Sequence, residues 1–205
     1  MIEEEIDKAV QILREGGVVI FPTDTVWGIG VSIERLDGVK RLYDLKGREK
    51  NKPTAVLVAD LDMAQSLGVI DSKVIALANK FWPGDLTIIV KAKETVTAPI
   101  KNQTGTVGLR QPDHPVTLAL LKKLGTGIVA ASANFAGQSA PVKKELIDQV
   151  LLDKVDYLVS GESGGKLPST VLDTTSQPYK IIREGAIKKK LLLACLPLDN
   201  AWPTS

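Results

Sequence analysis

The chain has 205 residues, 44% of them hydrophobic and 24% charged, with a formal net charge of +2. That length suits one well-packed α/β domain, or at most two small ones, and so small a net charge carries no whole-chain signature of a nucleic-acid binder. A single cysteine, Cys195, and a single histidine, His114, exclude an internal disulfide and a zinc site built from His and Cys ligands. A Ser-His-Asp arrangement would depend wholly on His114, and no Gly-x-Ser-x-Gly sequence supports one. The acidic opening Met1-Ile2-Glu3-Glu4-Glu5 is unlike a signal peptide, and no apolar run approaches the roughly 20 residues that span a bilayer. The expectation is a cytoplasmic protein with no membrane contact.

In chain order, Ile2, Ile6, Ala9, Val10 and Leu13 recur at helical spacing, and Gly16-Gly17 stops that helix. Val18 to Phe21 reads as a buried strand ended by Pro22. A polar turn, Thr23-Asp24-Thr25, leads into the apolar run Val26 to Val31. A second helix is expected over 34–45, then a basic loop. Ala55 to Val58 reads as a strand, and helical patterns follow near 60–67 and from Asp71, a candidate N-cap, to Trp82. Leu86 to Val90 and Thr106 to Arg110 are strands, while Asp113 and Pro115 mark a helix striped by Val116, Ala119, Leu120 and Leu124. Ile128 to Ala131 is a strand running into Ser132-Ala133-Asn134. Leu146, Ile147, Val150 and Leu151 describe a further helix, and strands near 156–159, 170–173 and 179–183 follow. After Ile187, Lys188 to Leu193 reads either as a last helical turn or as the start of an extended end carrying Pro197 and Pro203. Alternating helices and strands without repeats argue for one α/β domain, and links too short for crossover helices argue for a mixed sheet.

The usual phosphate motifs fail. Gly28-x-Gly30 has Ile33 where a dinucleotide fingerprint needs its third glycine, and Gly161 to Lys166 is one residue short of a P-loop, with Leu167 in place of Ser/Thr. Both read as turns. In Lys46-Gly47-Arg48-Glu49-Lys50-Asn51-Lys52-Pro53, four basic residues alternate; an extended loop would point all four to one side, toward phosphates or carboxylates, or simply toward solvent. Ser132 and Asn134 follow an apolar strand, where small polar groups bind ligands in open α/β sheets or cap a helix. Arg110 and Arg183 each end a strand run, as anion clamps or snorkelling edge residues. Ser169-Thr170 reads as a strand start, His114 as a residue at a helix start, and Trp27 and Trp82 as core, with a face of Trp27 available for stacking. The residues alone describe an α/β domain with an anion pocket.

Taken in order, several segments resemble the YrdC/YciO-type threonylcarbamoyl-AMP synthase family. They are Gly17 to Gly28, Lys46-Gly47-Arg48, Phe81 to Gly84 with Leu86-Thr87, Gly108 to Arg110 with Asp113 to Pro115, Ser132 to Asn134, and Ser169 to Val171 with Arg183 to Gly185. The resemblance runs from about residue 5 to about residue 187. It implies a twisted, open, mixed sheet with flanking helices around a deep basic cavity. It also implies a nucleotidyltransferase that makes threonylcarbamoyl-AMP and pyrophosphate from L-threonine, bicarbonate and ATP. The product would pass to a threonylcarbamoyl-transferase complex that modifies an adenosine of tRNAs reading ANN codons. Longer relatives carry a second C-terminal domain; this chain resembles the single-domain form, with a catalytic domain over 1–187 and a tail over 188–205.

By resemblance, Lys46 and Arg48 hold phosphates, Ser132 and Asn134 line the nucleotide and acyl-phosphate region, and Arg183 contacts the nucleotide. Thr23, Arg110 and Ser169 grip threonine, with Arg110 on its carboxylate, and Thr106 assists at either ligand. Mg²⁺ would arrive bridging the ATP phosphates, without a dedicated protein site. The chain departs from the family at Trp27 (usually Tyr), Glu49 (commonly Pro), Leu57 (a histidine in some relatives) and Ala140-Pro141-Val142 (a more polar Ser-Pro-Thr). These departures leave a second expectation: a YciO-like paralogue that binds structured RNA or nucleotide and has weak or no synthase activity.

Overall fold

The computed structural model describes residues 1–47, 54–165 and 167–195. Helix α1 (Ile2–Arg14) buries Ile6, Ala9, Val10 and Leu13 along one stripe, with Glu3, Glu4 and Glu5 in its first turn, where the helix dipole favours negative charge. Ile2 is exposed, so the buried stripe begins one turn later than the spacing suggests. Strands β1 (Val19–Pro22) and β2 (Trp27–Ser32) pair antiparallel around the 23–26 turn. Helix α2 (Leu36–Leu45) follows, then β3 (Ala55–Leu57), α3 (Leu61–Leu67) and α4 (Ser72–Phe81). Asp71 caps α4 as expected, its side chain accepting from the Val74 N–H. Strands β4 (Leu86–Lys91) and β5 (Thr106–Arg110) precede α5 (Pro115–Leu124), which starts on Pro115 and ends at Gly125 in the left-handed conformation. Then come β6 (Ile128–Ser132), α6 (Gln149–Leu152), β7 (Tyr157–Leu158), β8 (Thr170–Asp173), β9 (Lys180–Arg183) and α7 (Lys189–Leu193).

Among the described residues, nine strands form one mixed sheet in the order β7-β1-β2-β6-β3-β5-β4-β8-β9. Pairs β1–β7, β3–β5 and β4–β8 are parallel and the others antiparallel. Because strand side chains alternate between faces, each strand divides its residues between two environments. On one face, Trp27, Ile29 and Val31 of β2, Leu86, Ile88 and Val90 of β4, and Val107 and Leu109 of β5 join Val39 and Leu42 of α2 and Val74 and Leu77 of α4 in the larger core. On the other face, Val19, Phe21 and Ile128 pack against α1 and against Leu120, Leu121 and Leu124 of α5. Helices α1 and α5 cover only part of that second face.

Three expectations shift. The 146–151 segment is not one helix: a short 3-10 turn, Lys144–Leu146, and α6 are separated by extended Ile147, and Asp148 caps α6. Leu146 and Val150 stay exposed, and only Ile147 and Leu151 of that pattern reach the larger core. In α5 the buried stripe includes Thr117, whose hydroxyl donates to the Pro22 carbonyl, while Ala119 is only half-buried. Of the two readings after Ile187, the helical one holds over Lys189–Leu193, with Leu192 in the larger core; Pro197 and Pro203 lie outside the described residues. None of the described helices is long and apolar enough to cross a membrane.

Asp156 ties α2 to the β1–β7 edge. It accepts from the Val18 N–H at 2.7 Å and from both terminal nitrogens of Arg41, at 2.5 and 3.1 Å. Burial alone would raise its carboxyl pKa; the Arg41 and Val18 hydrogen bonds outweigh burial and hold it below its ordinary 3.8. A lowered folded-state value contributes stability that is present above the unfolded value and lost as pH falls through the folded one. Because the pair is more than a third exposed and screened by solvent, D156A should lower unfolding free energy at pH 7 by only about 1 kcal/mol. Urea titrations of both proteins at falling pH should show the gap closing below pH 3.8.

Candidate active site

The uncovered part of the second face is a cavity of about 470 Å³. Its floor is set by register. Ala130 of β6 pairs with Ala55 of β3, Ala55 with Gly108 of β5, and Gly108 with Ile89 of β4. All four line the cavity, and three are Ala or Gly. Gly28 of β2, opposite Ser132 in register, extends the floor. A Cβ on Gly108 would press on the Thr87 methyl at 3.3 Å, so small residues here keep space open.

Hydroxyls and two strand-end arginines stand around this floor. Arg110, last residue of β5, is 6% exposed. Its Nε donates to the Gly84 carbonyl at 2.9 Å, Nη1 to Thr25 Oγ1 at 3.1 Å, and Nη2 to Asp24 Oδ1 at 2.8 Å. Asp85 adds a more distant oxygen, 3.7 Å from Nη2. Arg183, last residue of β9, donates from Nε and Nη2 to the Ser169 carbonyl at 3.1 and 2.9 Å. Ser169 Oγ lies 2.8 Å from Thr87 Oγ1, so these two hydroxyls share a proton-donating chain at the rim. The Thr23 hydroxyl donates to the Val26 carbonyl at 2.7 Å and accepts from the Thr25 N–H at 3.2 Å, which fixes the turn.

Thr23, Arg110, Ser132, Ser169 and Arg183 therefore share one cavity, as the sequence suggests. Lys46, Asn134 and Thr106 are not among its lining residues. Lys46 is the C-cap of α2 rather than part of an extended loop, and it is buried. Its Nζ donates to the Ser132 carbonyl and, at 2.6 Å, to the Asn134 carbonyl, so it clamps the end of β6 from behind the cavity wall. The Asn134 amide donates to the Phe135 and Gln138 carbonyls at 2.8 and 2.9 Å, closing a local loop, and its Oδ1 is buried without a partner among the described residues. Thr106 sits at the other end of β5 from Arg110, about 13 Å away at strand rise, in a turn held by Asn102 Oδ1 on its N–H at 2.9 Å. Arg48, with Glu49, Lys50 and Lys52, lies outside the described residues.

Trp27 is 1% exposed within the larger core and offers no face to a ligand. His114 occupies the N-cap position of α5, and its Nε2 lies 3.0 Å from the Glu162 carbonyl. Leu57 faces the cavity beside Arg110, its partner in register. The sequence reading assigned no role to Asp24, Thr25, Thr54 and Thr87. Their signal was available only as alternation: Thr87 and Ile89, like Gly108 and Arg110, occupy the face opposite the core residues of their strands.

The glycine-rich 161–165 segment is a strap rather than a phosphate loop. The Gly164 N–H donates to the Thr23 carbonyl at 2.8 Å, and the Ser163 hydroxyl donates to the Val142 carbonyl at 2.8 Å. A Cβ on Gly164 would overlap the Asp24 carbonyl. G164A should destabilise the protein by at least about 1–3 kcal/mol, the usual cost of overpacking, read as a lower denaturant midpoint with an unchanged slope.

The family model Sua5_yciO_yrdC, described as Telomere recombination, matches residues 11–185. The threonylcarbamoyl-AMP synthase of Bacillus subtilis is 36% identical over 197 residues, covering 95% of this chain and 57% of that protein. Among solved structures, Pyrococcus abyssi Sua5 complexed with L-threonine is 30% identical, with a TM-score of 0.90 over 97% of this chain and 59% of that one. Escherichia coli YciO is 27% identical, with a TM-score of 0.81 over 92% of both chains. The chain thus spans little more than half the length of the Bacillus and Pyrococcus relatives. A family match across residues 11–185, joined to the same overall fold as Pyrococcus Sua5 and Escherichia coli YciO, shows that this chain belongs to the Sua5/YciO/YrdC family.

Proposed function

We propose that this chain forms threonylcarbamoyl-AMP and pyrophosphate from L-threonine, bicarbonate and ATP, supplying a transferase complex that modifies tRNA. The observation that carries this reading is the cavity of about 470 Å³ lined by Arg110, Arg183 and several hydroxyls. Its size suits small ligands, and relatives bearing this activity in their names match across the chain.

In this reading Arg110 takes the threonine carboxylate, because a guanidinium recognises carboxylates through paired N–H groups. Thr87 and Ser169 supply nearby hydroxyls, and Leu57 forms the apolar wall beside Arg110. Bicarbonate gives up hydroxide as CO₂ forms; the threonine amine adds to that CO₂ and loses a proton to the hydroxide, giving a carbamate and water. A carbamate oxygen then bonds to the α-phosphorus as the bond to pyrophosphate breaks. Such transfers depend on positioning and charge neutralisation more than on a protein nucleophile. Arg183, with Lys46 and Arg48, is assigned to the triphosphate. Lys46 would reach it only by exchanging a carbonyl of the β6 clamp for a phosphate oxygen. Among the described residues no group of three or more His, Cys, Asp or Glu side chains gathers to hold a metal. Mg²⁺ carried on the ATP phosphates would supply further neutralisation there.

The direct test is incubation with ATP, L-threonine and bicarbonate, with detection of threonylcarbamoyl-AMP by mass spectrometry. Product should require all three, and its absence at full ATP and threonine occupancy would refute the reading. R110A should raise the KM for threonine by at least about 30-fold, the scale for losing a buried partner of a charge, with a smaller effect on ATP. K46A and R48A should each lower kcat/KM by about 10²-fold or more, as expected when transition-state charge loses a fixed donor.

A further inference from the structure

Arg110 and Asp24 form an ion pair removed from water, with side-chain exposures of 7% and 6%. Of the five N–H groups of Arg110, three are committed: to Asp24, to Thr25 and to Gly84. Two remain for a ligand. Asp24 spends one oxygen on Arg110, and its Oδ2 is buried with no hydrogen-bond partner among the described residues. An unsatisfied carboxylate oxygen weakens a fold, and such a group in a folded protein calls for an explanation.

Asp24 is not among the residues lining the cavity, although Thr23 and Thr25 on either side of it are. Any effect on a ligand must therefore pass through Arg110. A second carboxylate, Asp85, lies 3.7 Å from the same Nη2 and is more exposed. Without the 2.8 Å bond to Asp24, the guanidinium would turn toward Asp85 and carry its two open N–H groups off line. The backbone around Asp24 is held from outside, by the Gly164 N–H on the Thr23 carbonyl and by the close approach of Gly164 itself.

We propose that Asp24 is a positioning residue, whose hydrogen bond sets the direction of Arg110 and thereby the affinity for the α-carboxylate of the amino-acid substrate. The inference rests on the threonine reading above. It commits Asp24 to orientation by an acceptor oxygen, so an uncharged acceptor of the same shape does the same work.

Calorimetric titration of L-threonine, and separately of ATP, into the intact wild-type chain, D24A, D24N, T25V and R110A tests this. D24A is expected to bind threonine about tenfold or more weakly, the scale of one lost buried hydrogen bond, with ATP affinity within about twofold of wild type. D24N should bind threonine within about threefold of wild type, because its amide oxygen accepts the same N–H. T25V, which removes the acceptor of Nη1 together with the 3.0 Å contact between the Thr23 and Thr25 hydroxyls, should weaken threonine several-fold and leave ATP unchanged, and it tests the same orientation of Arg110 if D24A does not fold. Wild-type threonine affinity in D24A or in T25V would overturn the proposal, as would D24N binding as weakly as D24A or an equal loss for both ligands. A wild-type chain that binds no L-threonine would overturn the functional reading itself, whereas normal wild-type binding with unaffected variants would overturn this role alone.

Discussion

A guanidinium held away from water has to find acceptors on its own protein, or the fold that buries it becomes too costly to keep. Arg110 meets that demand with groups from two distant places: Asp24 and Thr25 in the turn between β1 and β2, and the Gly84 carbonyl with the neighbouring Asp85 just ahead of β4. The rest of the site follows from this requirement. The turn can reach Arg110 only because the hydroxyl of Thr23 closes it, and because a strap of glycines lies flat against its outer side. Each element is ordinary alone; together they leave the arginine only a narrow range of orientations.

The cavity itself is a product of missing side chains. Along the row Ala130, Ala55 and Gly108, a sheet that elsewhere carries valine, isoleucine and leucine presents almost nothing on one face. Glycine inside a strand ordinarily weakens it. Here the loss is offset on the opposite face of the same strands, where Val107, Leu109, Ile88 and Val129 are packed in the larger core. Stability and binding volume are thus assigned to opposite sides of one sheet.

Much of this was legible in the residue order. The strands, the arginines at their ends and the capped starts of α4 and α5 rest on local rules of spacing and capping, and local rules read well from a sequence. The features that residue order did not reveal depend on distant partners. Lys46 looks like the first member of a basic loop, yet it ends a helix and donates to two carbonyls almost ninety residues away. Asn134 looks like a ligand group, yet its amide closes a loop of its own. Asp24, inside Thr-Asp-Thr, has every mark of a turn residue; its partner lies 86 positions further on, and nothing in the local pattern names it. The 146–151 segment shows helical spacing, and Ile147 and Leu151 are buried in the larger core, but extended Ile147 and the Asp148 cap split it into a 3-10 turn and a short helix.

The strand order has a consequence for when this protein becomes able to bind. Thr23 near the start of the chain and Arg183 near its end stand on the same cavity, although β1 and β9 lie toward opposite edges of the sheet. No fragment that stops before β8 encloses the space, because the wall from β8 and β9 is synthesised after the rest of the cavity lining. Competence is therefore acquired all at once, on completion of the sheet. A small molecule that prefers the finished enclosure will in turn hold the first and last strands in register, acting as a fastening between the two ends of the polypeptide.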